Sequence, residues 1–376
     1  MKIAIITIPL KYNYGGILQA YALEEVLRRE GHMVEHIEVQ KDSYLLPLKT
    51  RFLVYAKRFV LKYIFGKRIR VLQESYLHDS QNTIMQNTQK FIDQYLHIRK
   101  VLTFEEIREA DYDAFIVGSD QIWRAEYICK ANNFAPFLDF TSSWNKVRLA
   151  YSCSFAFNEW RYSEEATKKA SNLAKKFSAI SVREKSGVDL CKKYLGVDAV
   201  QIIDPTMLLT IEDYEKIVKE SDMPLSEGDF MTYILDENED IVLFVDKVAE
   251  ACHLKKFRAN SHAEDLQADV KDRIQPPVEK WLKSFIDAKV VITDSFHACV
   301  FSIVFNKPFI CLGNTSRGMD RFHSLLDMFN QRWRLIIDLT QMPDMSVFFA
   351  KPNIDLQSYR NSGKEFLFKH IKSIVR

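Results

Sequence analysis

Glycine and proline are scarce in this chain, 11 and 10 among 376 residues, which leaves little room for long flexible linkers. Cysteine is sparse too. Cys129, Cys153, Cys191, Cys252, Cys299 and Cys311 form no Cys-x-x-Cys pair, and several lie in apolar runs such as Ile310-Cys311-Leu312. They read as reduced, buried thiols, so neither a zinc site nor a disulfide framework is indicated. No stretch approaches the ~18 consecutive apolar residues of a membrane-spanning helix. Ile3 to Leu10 runs straight into Lys11-Tyr12-Asn13-Tyr14-Gly15-Gly16, a strand followed by a loop rather than a leader with a cleavage site. A cytoplasmic protein is expected.

Acidic residues are missing from one segment. None occurs between Asp42 and Glu74, where Lys49, Arg51, Lys57, Arg58, Lys62, Lys67, Arg68 and Arg70 all fall. The net charge is +2, from 52 basic and 50 acidic residues; without those eight, 44 basic residues face 50 acidic ones. If the segment is helical, Arg51, Arg58 and Lys62 share a narrow arc, because spacings of seven and four return to nearly one face. Phe52, Leu53, Phe59, Val60, Tyr63 and Ile64 surround the rest. A basic amphipathic helix can lie on an anionic membrane; a helix packed on the first domain with a solvated basic face explains the same pattern. Peripheral membrane contact through residues 45–72 is therefore one expectation. Nucleic acid is not expected as a partner, since no recognisable binding motif surrounds the basic run.

Hydrophobic residues make up 47% and charged residues 27%, a globular balance, and the length suits two domains. Lys2 to Ile8 is rich in β-formers, Gly15-Gly16 punctuates a turn, and Ile17, Ala20, Tyr21, Leu23, Val26 and Leu27 recur near helical spacing. With Val34 to Val39 as the next strand, this opening favours a parallel, doubly wound α/β sheet. Residues 45–100 read as a helical insertion. Strand candidates resume at Ala114–Val117, Leu149–Ser152 and Ala179–Val182, and Gln201 to Pro205 closes a first domain over residues 1–205. Residues 206–376 repeat the style, with strands at Phe230–Leu235, Val290–Thr293 and Pro308–Leu312 and a helical segment at the end. Two Rossmann-like domains are predicted, with the cleft between them at the carboxyl ends of the strands.

Polar motifs sit at those strand ends. Asn13-Tyr14-Gly15-Gly16 opens the first helix, where glycine lets backbone amides approach an anion or simply serves packing. Gly118-Ser119-Asp120-Gln121 can meet sugar hydroxyls, with Asp120 accepting a proton, or can cap the next helix. Arg183, in Ser181-Val182-Arg183-Glu184, has the planar fork that grips a carboxylate or phosphate, and an ion pair with a protein carboxylate fits it equally. Asp294-Ser295-Phe296-His297 ends a buried strand beside a helix start, a position suited to phosphate binding and proton transfer or to a satisfied structural histidine. Arg317, Arg321 and His323 follow.

In this order, these motifs resemble the polysaccharide pyruvyltransferase family. Further matching stretches are Ile17 to Leu23, Ile122-Trp123, Tyr151-Ser152-Cys153-Ser154-Phe155 and Asp204-Pro205-Thr206. The resemblance implies a GT-B-type scaffold of two Rossmann-like domains. It also implies transfer of pyruvate from phosphoenolpyruvate to hydroxyls of a saccharide acceptor, often lipid-linked, usually as a cyclic ketal and without a metal or other cofactor. By resemblance, Arg183 matches the donor-binding arginine and His297 the histidine of an Arg-Leu-His tripeptide. Ser295 and Phe296 replace the Arg and Leu, so one donor-gripping arginine is missing, and Arg317 and Arg321 are the candidates to stand in for it. The site expected on this basis has His297 and Asp120 as catalytic residues. Asn13, Tyr14, Gly15, Gly16, Ser119, Gln121, Ser152, Arg183, Ser295 and Arg321 are its expected substrate contacts, with Arg183 and His297 facing each other across the cleft. A nucleotide-sugar glycosyltransferase and a non-catalytic binding protein on the same scaffold are the alternatives.

Overall fold

The computed structural model describes residues 1–40, 48–129, 132–263, 265–314, 318–342 and 344–372. Arg317 therefore lies outside the described residues.

The first domain is a seven-stranded sheet. Its strands are β1 (Lys2–Ile6), β2 (Met33–Val39), β3 (Ile98–Val101), β4 (Ala114–Asp120), β5 (Val147–Cys153), β6 (Ala179–Val182) and β7 (Val200–Gln201). They run in the order β3-β2-β1-β4-β5-β6-β7, every neighbouring pair parallel. β4 and β5 are buried throughout, as their near-continuous apolar sequences require of strands covered on both faces. The helices are α1 (Tyr14–Arg29), α2 (Leu48–Tyr63), α3 (Gln73–Tyr95), α4 (Ala125–Ile128), α5 (Glu164–Ala174) and α6 (Lys185–Leu190). Asn13 caps α1, its side-chain oxygen accepting from the Gly16 amide at 3.2 Å.

The second sheet has the order β12-β11-β10-β8-β9, from β8 (Phe230–Tyr233), β9 (Lys256–Arg258), β10 (Val290–Thr293), β11 (Phe309–Leu312) and β12 (Leu335–Ile336), again all parallel. Around it lie α7 (Ile211–Glu220), α8 (Glu239–Ala251), α9 (Val270–Arg273), α10 (Val278–Asp287), α11 (Phe296–Val304), α12 (Asp320–Met328) and α13 (Met345–Phe348). Strand order reverses between β1 and β4 in one sheet and between β8 and β10 in the other, which are the switch points where such sheets open a crevice. α11 is apolar apart from His297 and Ser302 and is buried along its whole length. It packs with α1 and with Met207 and Leu208 of the linker in one continuous core shared by both domains.

Two features depart from the sequence reading. The final helix, α14 (Gln357–Lys372), does not finish the second domain but crosses back to the first. Arg360 donates to the Met207 and Leu209 carbonyls at 3.0 Å, and Phe366 packs on Tyr151 of β5. The second correction concerns α2. Arg51 and Arg58 do not form its solvated face, because Arg58 turns inward to Glu74 of α3 at 2.6 Å. Arg58 first, and Arg51 more weakly, hold that carboxyl below its usual range. The exposed side is the apolar one. The insertion also acts as a strap: Arg70 donates to the Leu266, Gln267 and Ala268 carbonyls, and Asn87 to Gln275, all in the second domain.

Gly363 of α14 lies where a side chain would meet the Leu208 methyl and the Tyr151 hydroxyl, each 2.7 Å from an added Cβ. Glycine normally weakens a helix by ~1 kcal/mol relative to alanine, but here bulk is excluded. Gly363→Leu should therefore destabilise the protein by about 1–3 kcal/mol, read as a lower urea midpoint; an unchanged or higher midpoint would show that α14 is not docked this way.

Candidate functional site

The site gathers where the carboxyl ends of the two sheets approach. At its centre is Arg183, which follows β6 and is buried. Each guanidinium nitrogen meets a carboxylate: Nε donates to Glu184 at 3.0 Å, Nη1 to Asp204 at 3.1 Å and Nη2 to Asp120 at 3.2 Å. Asp120 ends β4 in the left-handed region, φ +56°, and Asp204 begins the linker that leaves the first domain. Three carboxylates around one arginine leave an excess of negative charge, and the second domain answers it. His297 Nε2 lies 3.6 Å from the same Asp204 oxygen that Arg183 uses. That is within ion-pair range but too long for a direct hydrogen bond. Arg321, on α12, is also buried and lowers the proton affinity of Asp120 and Glu184. Phe296 lies near both guanidiniums, 4.1 Å from Arg183 and 5.8 Å from Arg321 to its ring centre, so cation–π attraction supplements the ion pairs.

These environments separate the carboxyls. Burial alone would raise Asp120 and Asp204. For Asp120, the positive charges of Arg183, His297 and Arg321 outweigh it; for Asp204, His297, Arg183 and the Thr206 amide do so. Both acids are held below the usual carboxylate range. Glu184 goes the other way, raised by burial that Arg183 only partly offsets.

His297 enters this cluster because the second residue of α1, Gly15, has no side chain. A Cβ on Gly15 would sit 2.1 Å from the His297 ring, so the two weak motifs at the starts of α1 and α11 are in contact across the domains. The ring's Nε2 is buried and makes no hydrogen bond among the described residues, which makes it the site's candidate for handling a proton.

The other predicted residues divide. Asn13 is the cap of α1, and Gly16 donates to it. Tyr14 points away from the cluster into the domain junction, donating to the Pro276 carbonyl at 2.7 Å and stacking on Trp281. Ser119 donates through both its amide and its hydroxyl to Gln19 Oε1 at 2.8 and 2.9 Å. Gln121 accepts from Arg124. The Ser152 amide donates to the Ser181 hydroxyl at 2.9 Å. Ser295 caps no helix through its side chain, and its amide donates to Thr293. Asp294 accepts from the Leu235 and Asp236 amides, closing the β8–β10 junction. Asp204, Glu184 and Gln19 were missed as site residues. The available signal for Asp204 was a carboxylate set between Ile202-Ile203 and Pro205, an apolar setting in which a charge needs a distant partner. Among the described residues, no three His, Cys, Asp or Glu side chains are placed to hold a metal ion.

The cluster sets opposite pH slopes for wild type and variant. Carboxyls depressed on folding stabilise above their unfolded pKa of about 4, and that contribution drains as pH falls through the folded value. Arg183→Met leaves three carboxyls buried without their cation. It should cost about 3–5 kcal/mol near neutrality and raise the carboxyl pKa values, so acidification toward about pH 5 should restore part of the loss. Urea titrations across that range check this, and parallel pH profiles would refute it.

Solved structures share the architecture. The UDP-GlcNAc 2-epimerase of Neisseria meningitidis, bound to UDP-GlcNAc, aligns over 99% of each chain at 9% identity with a TM-score of 0.52. MnaA of S. aureus, solved with UDP, aligns over 100% of this chain and 96% of that one at 13% identity, TM-score 0.51. These likenesses establish the GT-B-type pair of Rossmann-like domains. No curated protein sequence matches the chain. A family model described as polysaccharide pyruvyl transferase matches residues 13–316, a span that takes in Gly15, Asp120, Arg183, Asp204 and His297. The chain belongs to the polysaccharide pyruvyl transferase family.

Proposed function

We propose that the chain transfers pyruvate from phosphoenolpyruvate to a saccharide acceptor, forming a cyclic ketal, and that it needs no metal or other cofactor. The observation that carries this reading is the buried His297 ring where the two sheets meet: its Nε2 makes no hydrogen bond among the described residues and lies 3.6 Å from Asp204, while the buried Arg321 guanidinium lies 5.8 Å from the neighbouring Phe296 ring. Phosphoenolpyruvate presents a phosphate, a carboxylate and a methylene carbon that must be protonated. A buried imidazole beside a carboxylate suits the proton transfer, and an adjacent arginine suits the anion.

The steps balance with few groups. Imidazolium His297 gives its proton to the methylene carbon, leaving a methyl group and a cationic centre at the neighbouring carbon. A sugar hydroxyl attacks that centre, and its proton returns to the now neutral imidazole. The bond to phosphate then breaks, and a second hydroxyl closes the ketal as its proton leaves with inorganic phosphate. Asp204 holds the imidazolium, and Arg321 faces the donor's charge. Asp120 is a poor base here, because its basicity is depressed and it is engaged by Arg183; its role is to hold Arg183. With Arg183 occupied on three sides, its contribution to donor binding is through its charge and its hold on the strand ends rather than an open fork. A lipid-linked acceptor at the inner face of a membrane, with the protein otherwise cytoplasmic, completes the reading. Among the described residues no helix is long and apolar enough to cross a membrane.

Purified protein should release inorganic phosphate from phosphoenolpyruvate when given a saccharide acceptor, with turnover unchanged by a chelator. Release of UDP from a nucleotide sugar, without phosphate release, would replace this reading with a glycosyltransferase. His297→Gln should lower kcat by roughly 100-fold or more with a smaller effect on donor KM. Gly15→Ala, which drives a methyl into that ring, should lower kcat in the same direction while leaving every charged group in place. Full activity in both variants would remove His297 from the chemistry.

A further inference from the structure

The outward face of α2 and the turn after it present Phe52, Leu53, Phe59, Val60, Tyr63, Ile64 and Phe65 to solvent. These are not marginal exposures: Phe52 is 76% exposed, Leu53 and Ile64 71%. Isolated apolar side chains on a surface need no explanation, but a contiguous stripe does. The helix geometry makes it contiguous. Phe52, Phe59 and Tyr63 repeat spacings of seven and four, and Leu53, Val60 and Ile64 repeat them one position round. The apolar arc thus spans about 140° at 100° per residue. Lys57 lies at one edge, Lys62 about 60° beyond the other on the side of Arg51 and Arg58, and both are exposed, as are Lys67 and Arg68 just beyond. The opposite face, with Arg51, Val54, Tyr55, Arg58 and Leu61, is the one turned to the protein.

We propose that this face docks on an anionic lipid bilayer, with the apolar stripe entering the acyl boundary and Lys57, Lys62, Lys67 and Arg68 meeting headgroup phosphates. Charge decides between a bilayer and a second copy of the chain. Two copies meeting through this face would bring the same cations together, and no acidic residue lies between Asp42 and Glu74 to pair them; Glu74 itself is held by Arg58. Long cationic side chains bordering an apolar stripe are suited to a lipid interface, where their stems lie in the apolar zone and their charges reach the headgroups. The segment follows the carboxyl end of β2, the same end of the sheet from which Asp120 and Arg183 project. The inference stands apart from the donor chemistry, because vesicle binding and phosphate release are separate measurements.

The full chain is sedimented with phosphatidylcholine vesicles made with and without phosphatidylglycerol. Binding is expected only with phosphatidylglycerol, and it should weaken as salt rises. Phe52→Ser, Phe59→Ser and Tyr63→Ser combined, and separately Lys57→Gln with Lys62→Gln, should each lower partitioning roughly tenfold or more. Because these side chains are exposed, the thermal midpoint should hold in both variants. Indifference to both vesicle types overturns the proposal, as does binding that survives the serine substitutions. Sedimentation velocity adds a third result against it: a dimer that the serine substitutions dissolve would show a second copy on this face.

Discussion

One buried arginine organises the molecule. Charges removed from water persist only when paired, and Arg183 is paired three times, with carboxylates that reach it from β4, from its own neighbour and from the linker after β7. The parallel order of those strands is therefore tied to a single electrostatic centre at their carboxyl ends. Two Rossmann-like domains can pack in many ways, but this cluster gives the second domain a particular place. The first domain brings three carboxyls and one guanidinium, an arrangement short of positive charge. The second brings His297 at the start of α11 and Arg321 on α12. Apolar burial along α1, Met207 and α11 supplies the non-directional attraction between the domains, and the charges supply the register.

The same balance constrains any anionic donor. Three carboxyls face two arginines and one histidine, so the cluster is close to neutral only when His297 is protonated or Glu184 is. The environments divide the three acids: burial raises Glu184, while the cations hold Asp120 and Asp204 below the usual carboxylate range. A donor carrying both phosphate and carboxylate adds further negative charge. On the pyruvyl-transfer reading that added charge meets His297 and Arg321, the groups the second domain brings to the cluster. Donor binding and the ion-pair cluster are then linked through one electrostatic sum rather than through separate devices.

Much of the architecture is legible in the sequence because it is local. The apolar runs of β1, β4 and β10, the Asn13 cap and the turn at Asp294–His297 each carry their own signal, and the ordered motifs point to the family. What is not legible is set by distant partners. Arg183 and Asp120 lie 63 positions apart, and nothing near either one indicates the other. The edge strands β3, β7, β9 and β12 are only two to four residues long, too short for an alternating pattern to be recognised. The wheel for α2 sorts its residues into arcs correctly but cannot say which arc turns inward. Glu74, sixteen positions beyond Arg58 and on another helix, settles that by taking the arginine.

Gly15 and His297 illustrate how two ambiguous signals become one definite contact. Read separately, a glycine pair after a strand and a histidine at a helix start each have an ordinary structural explanation. The structure sets them against each other, with no room for even a methyl group between backbone and ring. Glycine at this position is thus required neither by a turn nor by a positive φ. It is required because the first turn of α1 is the floor on which the second domain's imidazole rests. That floor fixes the ring laterally, while Asp204 draws its Nε2 toward the Arg183 cluster. A histidine held by packing on one side and charge on the other has little orientational freedom; on the pyruvyl-transfer reading that matters, because a proton donor gains most when its orientation is settled before the substrate arrives.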